Sequence, residues 1–221
     1  LADVVTDQAT DLSPVTLVPL NTSKQRPVIY AMPGRWGHFA GYHALGKALE
    51  PYSHLRGLRF NTLLSNDPKA SITLDEITQS ASDAIARDAK HSPIVSMGFS
   101  SGGTFAYETA RHLKLQGHAV SLVLIDAKPL FEPMYPPAWK QILRQILGRK
   151  RIEKPKRGPN MSLVSFKLRE TLHTWKPHPV DLETVLFCPE EGVVTPEYRK
   201  LWKRALGDHI TFENIPGEHL G

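Results

Sequence analysis

Cysteine is nearly absent from the 221-residue chain, where Cys188 stands alone. One thiol excludes an intramolecular disulfide and any cysteine-rich metal site, and it fits a reducing cytoplasm. Long apolar runs are missing as well: nothing approaches the ~20 residues a transmembrane helix needs, so no membrane association is expected. Leu1-Ala2-Asp3-Val4-Val5 lacks an initiator methionine, a basic n-region and an apolar h-region, which argues against a secretory signal. Repeats and low-complexity tracts are also lacking. Residues 1–14 are polar and aperiodic and resemble a linker from an upstream domain. Residues 15–221 are then expected to form one domain, long enough for a substantial core.

Positive charge is present, but only locally. The net charge is +5, while residues 140–157 alone carry Lys140, Arg144, Arg149, Lys150, Arg151, Lys154, Lys156 and Arg157 against Glu153. Those eight bases and one acid make +7, which leaves −2 for the rest of the chain. No aromatic residues are interleaved with this run, so nucleic acid is not the expected partner.

The remaining pattern alternates strand and helix. Val15 to Leu20 reads as an edge strand, because Pro19 cannot donate to a central ladder. Pro27 to Met32 and Leu55 to Phe60 read as strands, with a helix over Gly41 to Leu49 between them. Leu74 to Ala89 predicts a helix with Asp75 and Glu76 in its first turn, where acids suit the helix dipole. A strand follows from Ile94, then a helix from about Ser101 to Leu115 whose inner face is Phe105, Ala106, Thr109, Ala110 and Leu113, capped by Gly117. Val120 to Ile125 is apolar enough for a parallel strand buried on both faces. Leu182 to Phe187, a helix over Pro196 to Leu206, and Ile210 to Ile215 complete the series. Such alternation predicts an α/β domain with a mostly parallel sheet flanked by helices. Between 128 and 175 it stops. Trp139, Ile142, Leu143, Ile146 and Leu147 fit one amphipathic helix closed by Gly148, and Leu163, Val164, Phe166, Leu168, Glu170 and Leu172 fit a second. This insertion reads either as a lid over a site at the preceding strand end or as a helical hairpin on the sheet edge.

The chemistry concentrates in Gly98-Phe99-Ser100-Ser101-Gly102-Gly103, entered by a strand and left by a helix. A serine hydroxyl becomes a useful nucleophile when a sharp turn exposes it beside a base, and Gly98 and Gly102 lack the Cβ atoms that would obstruct such a turn. Ser100 is the candidate nucleophile. Of ten histidines, His219 is the candidate base, since a strand and a Pro216-Gly217 turn should deliver it to the sheet edge where Ser100 lies. His112, His118 and His209 fit solvated or capping roles, while His173 and His178 stay open. Asp126, at the end of the 120–125 strand, is the candidate acid, with Glu190, Glu191 and Asp208 as rivals. Asp126 could instead cap a helix or form a turn near Pro129. The order Ser100, Asp126, His219 is that of an α/β-hydrolase. Oxyanion donors are expected at the backbone N–H of Ser101 and in the loop Pro33-Gly34-Arg35-Trp36-Gly37, at Arg35 or one step away at Trp36.

These blocks resemble the thioesterase domains that end nonribosomal peptide synthetases and polyketide synthases, and the related stand-alone editing thioesterases. The likeness runs from about Leu17 to Gly221 through Val18-Pro19-Leu20-Asn21, Met32-Pro33-Gly34, the serine turn with Ala106-Tyr107-Glu108, Leu122 to Asp126, and Pro216-Gly217-Glu218-His219. It implies a serine thioesterase with no cofactor of its own. Its substrate would be an acyl or peptidyl chain held on the phosphopantetheine arm of a carrier protein upstream in the same polypeptide. Hydrolysis or macrocyclisation would release that chain through an acyl-Ser100 intermediate. Trp36 and Trp139 are then candidates for substrate contact. Arg149, Lys150 and Arg151 are candidates for carrier docking, against the plainer reading of a solvated basic segment. A free esterase or lipase, and a catalytically silent carrier-binding module, are the competing functions.

Overall fold

In the computed structural model, residues 13–34, 37, 39–61, 73–90, 92–129 and 175–219 are described. The strands are β1 (Val15–Pro19), β2 (Val28–Met32), β3 (His54–Phe60), β4 (Ile94–Phe99), β5 (Val120–Ile125), β6 (Thr184–Glu191) and β7 (Ile210–Glu218). The helices are α1 (His43–Leu49, preceded by a 3-10 turn at Ala40–Tyr42), α2 (Leu74–Ala89), α3 (Gly102–Leu115) and α4 (Pro196–Leu206). The strands form one sheet in the order β1-β3-β2-β4-β5-β6-β7. Only β1 runs antiparallel, against β3 at the edge, where Pro19 lies opposite Arg56. Every other neighbouring pair is parallel. From β2 the chain crosses to β3 on one side, and from β4 to β5 on the other. The order therefore reverses between β2 and β4, and a crevice opens at the carboxyl ends of those strands.

Strand periodicity sorts the core into two faces. Val28, Tyr30 and Met32 of β2, Leu58 and Phe60 of β3, and Val120, Leu122 and Leu124 of β5 pack with Ile77, Ala81 and Ile85 of α2 and with Phe105 to Leu113 of α3. Ala31, Leu55 and Met97 face the other way and pack with Leu45 and Leu49 of α1. The α2 start is closed by a reciprocal box in which Glu76 N–H donates to Thr73 Oγ1 (3.2 Å) and Thr73 N–H donates to Glu76 Oε2 (2.8 Å).

Several boundaries differ from the sequence reading. The α3 helix is buried all round from Gly102 to Ala110 rather than along one face. Tyr107 is flanked by Trp175 and Trp202, with ring centroids 5.9 and 5.6 Å away. Even Glu108 is enclosed, and its carboxylate accepts from Trp175 Nε1 and from Arg111 Nε, both at 2.6 Å. In β5, Ser121 is exposed and Val123 and Ile125 are half-buried. Its second face is only partly covered by the described residues, with Val123 and Ile125 packed against the cluster of Ala31, Tyr42, Leu55 and Met97. Strand β7 continues to Glu218, so Pro216-Gly217 is no turn beyond the strand. It lies within an edge strand beside a register shift between Pro189 and Glu191, where a missing N–H is tolerated. Ser13 and Pro14, expected in the linker, accept hydrogen bonds from Asn61 through their carbonyls, both at 2.9 Å. The proposed lid lies outside the described residues apart from its ends. Among the described residues no helix is long and apolar enough to cross a membrane.

Candidate active site

The chain turns from β4 to α3 within two residues, Ser100 and Ser101. A Cβ on residue 98 would lie 2.4 Å from the Gly102 carbonyl oxygen, and one on residue 102 would lie 2.8 Å from that of Pro33, so both positions need glycine. Ser100 itself sits at φ +53°, a left-handed conformation costing roughly 1–2 kcal/mol for a residue with a Cβ. Neighbouring main-chain bonds hold it there: Ser100 N–H donates to Ile125 C=O at 3.0 Å, and Gly103 N–H to Ser100 C=O at 3.2 Å.

This turn presents Ser100 Oγ 3.1 Å from His219 Nε2. The other ring nitrogen, Nδ1, lies 2.5 Å from Asp126 Oδ2. An ionised carboxylate only accepts, so Nδ1 carries the proton, and in the neutral ring Nε2 offers its lone pair to the serine hydroxyl. The ring of Phe99 stacks on the imidazole, centroids 5.0 Å apart and planes 26° off parallel.

Asp126 is fully buried and also has a positive φ, +41°. Its Oδ1 accepts from the N–H groups of Val193 (2.8 Å) and Val194 (3.3 Å) in the loop after β6. That loop approaches so closely that a Cβ on Gly192 would lie 2.6 Å from Oδ1. Asp126 N–H bonds Phe187 C=O at 2.9 Å, and the indole of Trp202 donates to the next carbonyl, Ala127, at 2.8 Å. Both carboxylate oxygens are therefore satisfied within a buried site, as a buried charge requires.

Glu190 and Glu191 are exposed, and Asp208 is exposed beside Lys203 at 3.7 Å. Among the other histidines, His112 lies 3.2 Å from Asp75 on α2, and burial lowers its pKa. His209 bonds Glu183 at 2.9 Å, which raises its pKa. His118 follows the α3 terminus, and its N–H donates to Leu113 C=O at 3.0 Å. His178 is exposed, and its carbonyl accepts from Tyr107. Ser101 is buried just ahead of α3, and among the described residues its N–H has no acceptor. Arg35, Trp36, Trp139, Arg149, Lys150, Arg151 and His173 lie outside the described residues. Three contributors escaped the sequence reading: the Val193 and Val194 amides, the Phe99 ring, and Tyr42. The Tyr42 hydroxyl donates to Met32 C=O (2.9 Å) and accepts from Phe99 N–H (2.8 Å). The first left no side-chain signal, since Val193 and Val194 act only through their backbone N–H groups.

The profile of the thioesterase domain family matches residues 27–220, nearly the whole chain. The chain belongs to the thioesterase domain family. This thioesterase domain is 31% identical over 121 residues to malpinin synthetase of Mortierella alpina, a match covering 54% of the chain and 2% of that synthetase. The chain thus spans a small fraction of that relative's length. Among solved structures, it resembles a four-domain nonribosomal peptide synthetase bound to AMP and glycine, with a TM-score of 0.73 and 19% identity over 92% of this chain and 18% of that one. It also resembles the NocB thioesterase domain in covalent complex with a fluorophosphonate nocardicin G analogue, with a TM-score of 0.69 and 22% identity over 92% and 90% of the two chains. These likenesses establish an α/β-hydrolase fold with a mostly parallel sheet.

Proposed function

We propose that this domain releases an acyl or peptidyl chain from the phosphopantetheine thioester of a carrier protein through an acyl-Ser100 intermediate. The observation that carries the reading is the unbroken line from Ser100 Oγ through His219 to buried Asp126, at 3.1 and 2.5 Å. Ser100 Oγ attacks the thioester carbonyl carbon while His219 Nε2 takes its proton. Asp126 keeps hold of the Nδ1 proton and stabilises the imidazolium. The developing oxyanion faces the start of α3, where the Ser101 N–H is one donor and Arg35 or Trp36 of the loop after β2 supplies the other. Collapse breaks the C–S bond, and the departing thiol takes the proton from Nε2. Water, or a hydroxyl or amine of the chain itself, then gives His219 a proton and attacks the ester carbonyl; the C–O bond to Ser100 breaks, and Nε2 returns that proton to Oγ. The product is a free acid in the first case and a ring in the second.

A carrier upstream in the same polypeptide is supported by the synthetase relatives, whose length far exceeds that of this domain. In this reading Trp36 and Trp139 contact the acyl chain, and Arg149, Lys150 and Arg151 meet the carrier. No cofactor enters the scheme. The test is mass spectrometry of the domain after reaction with a slowly deacylating N-acetylcysteamine thioester. Fragmentation of the labelled peptide should place the acyl group on Ser100, whereas finding it on Cys188 or Ser101 ends the assignment. Faster cleavage of a matched oxygen ester would favour a free esterase. No labelling by a fluorophosphonate would leave only a silent binding module.

A further inference from the structure

We propose that Tyr42 is a positioning residue whose hydroxyl sets the span between the nucleophile turn and the loop leaving β2. The inference rests on the thioesterase reading above and adds a residue to it. Strands β2 and β4 pair directly as far as Met32 opposite Gly98. At that level a parallel pair could join Phe99 N–H to Met32 C=O, but here the Tyr42 phenol stands between them, donating at 2.9 Å and accepting at 2.8 Å. One flank of this wedge is the last residue before Ser100, and the other is the last residue before Pro33-Gly34. Because the strand order reverses between these two strands, the wedge stands at the head of the crevice where substrate is expected.

The phenol has no freedom to serve otherwise. Tyr42 is 2% exposed, and burial pushes its ionisation far upward, so it remains a neutral O–H donor. It enters from the 3-10 turn at Ala40–Tyr42, with Phe39 beside it at 6.4 Å between ring centroids. The end of β2 also abuts the beginning of α3, since a Cβ on Gly102 would meet the Pro33 and Met32 carbonyl oxygens at 2.8 and 3.0 Å. Closing the wedge would therefore shift β2's exit against the same helix turn that carries the Ser101 N–H. Donors aimed at an oxyanion act mainly in the transition state, so misplacement should appear in kcat and not in KM.

The intact domain carrying Tyr42→Phe is compared with wild type and with Tyr30→Phe. Tyr30 is another buried tyrosine, and its hydroxyl donates to Asp88 at 2.7 Å, a bond that involves neither Met32 nor Phe99. Active sites are counted by fluorophosphonate titration, so rates refer to folded, competent molecules. On an N-acetylcysteamine thioester, Tyr42→Phe should lower kcat by about 10- to 100-fold, the scale of an ångström-level misplacement, with KM nearly unchanged. Tyr30→Phe should leave both constants alone, even where it lowers the melting temperature. If Tyr42→Phe is unfolded under standard conditions, the comparison is made in the cold with trimethylamine N-oxide, which favours the compact state. A kcat per titrated site within twofold of wild type, or an equal loss in Tyr30→Phe, overturns the role of Tyr42 and leaves the thioesterase reading intact. A wild-type domain inert toward thioesters and fluorophosphonate overturns both.

Discussion

Ser100 and Asp126 are the two described non-glycine residues at the site with positive φ, +53° and +41°. Each is held there by main-chain bonds to an adjacent strand, Ser100 to β5 and Asp126 to β6. The strain is tolerated because neighbouring bonds over-determine it, a pattern that accompanies functional turns. Two outcomes follow at this scale. Ser100→Ala should abolish thioester turnover to the extent that loss of a triad serine does, up to ~10⁶ in kcat, measured by thiol release. Asp126→Asn should keep the fold by circular dichroism, yet reduce kcat by up to ~10⁴. An amide donates toward Nδ1 and so favours the tautomer whose Nε2 carries the proton. A near-wild-type Asp126→Asn alongside a crippled Glu190→Gln or Asp208→Asn would move the acid to the later βα unit.

Elements were legible from the chain in proportion to how local their signals are. The helix over 74–89 announces itself through Asp75 and Glu76 in its first turn, and the end of α3 through Gly117 at φ +85°. The extension of β6 to Glu191 and of β7 to Glu218 was not legible, since Pro189 and Pro216 look like breakers until each is seen beside a register shift. The loop after β6 was equally silent about its job. Val193 and Val194 contribute only backbone N–H groups to Asp126, and these carry no side-chain signature. Its tight fit gives a test. Gly192→Ala has no backbone strain to overcome, as the φ of Gly192 is not among the positive ones, but its Cβ would press on Asp126 Oδ1 at 2.6 Å. We expect kcat to fall by about 10- to 100-fold through a displaced acid, with a melting temperature lowered by only a few degrees. An unchanged kcat, read by steady-state kinetics, would show that the loop yields and leaves the acid in place.

For the molecule as a whole, the uneven distribution of charge along the sequence supplies a further test. The basic run at 140–157 carries +7 against −2 elsewhere, and attraction between exposed charges is screened over ~8 Å at physiological ionic strength. Changing Arg149, Lys150 and Arg151 to Glu should therefore raise KM for a carrier-bound acyl substrate, more so at low salt, while an N-acetylcysteamine thioester is turned over as before. Equal losses on both substrates without salt dependence would assign the segment to pocket access instead. By itself the sequence determined the α/β alternation, the edge position of the first strand, the serine turn and the family, because strand and helix periods and glycine turns are written in adjacent residues. It also nominated Asp126 and His219, but left them among competitors. Only the tertiary structure brings these two and Ser100 within hydrogen-bonding distance. Ser100 and His219 are 119 residues apart, and His219 and Asp126 are 93 apart, so what brings them together is the sheet order that sets β5 beside β4 and β7 beyond β6. The wedge of Tyr42 and the amides that hold Asp126 belong to the same class. They are contacts between distant backbone groups, fixed by strand register, and no local pattern of side chains records them.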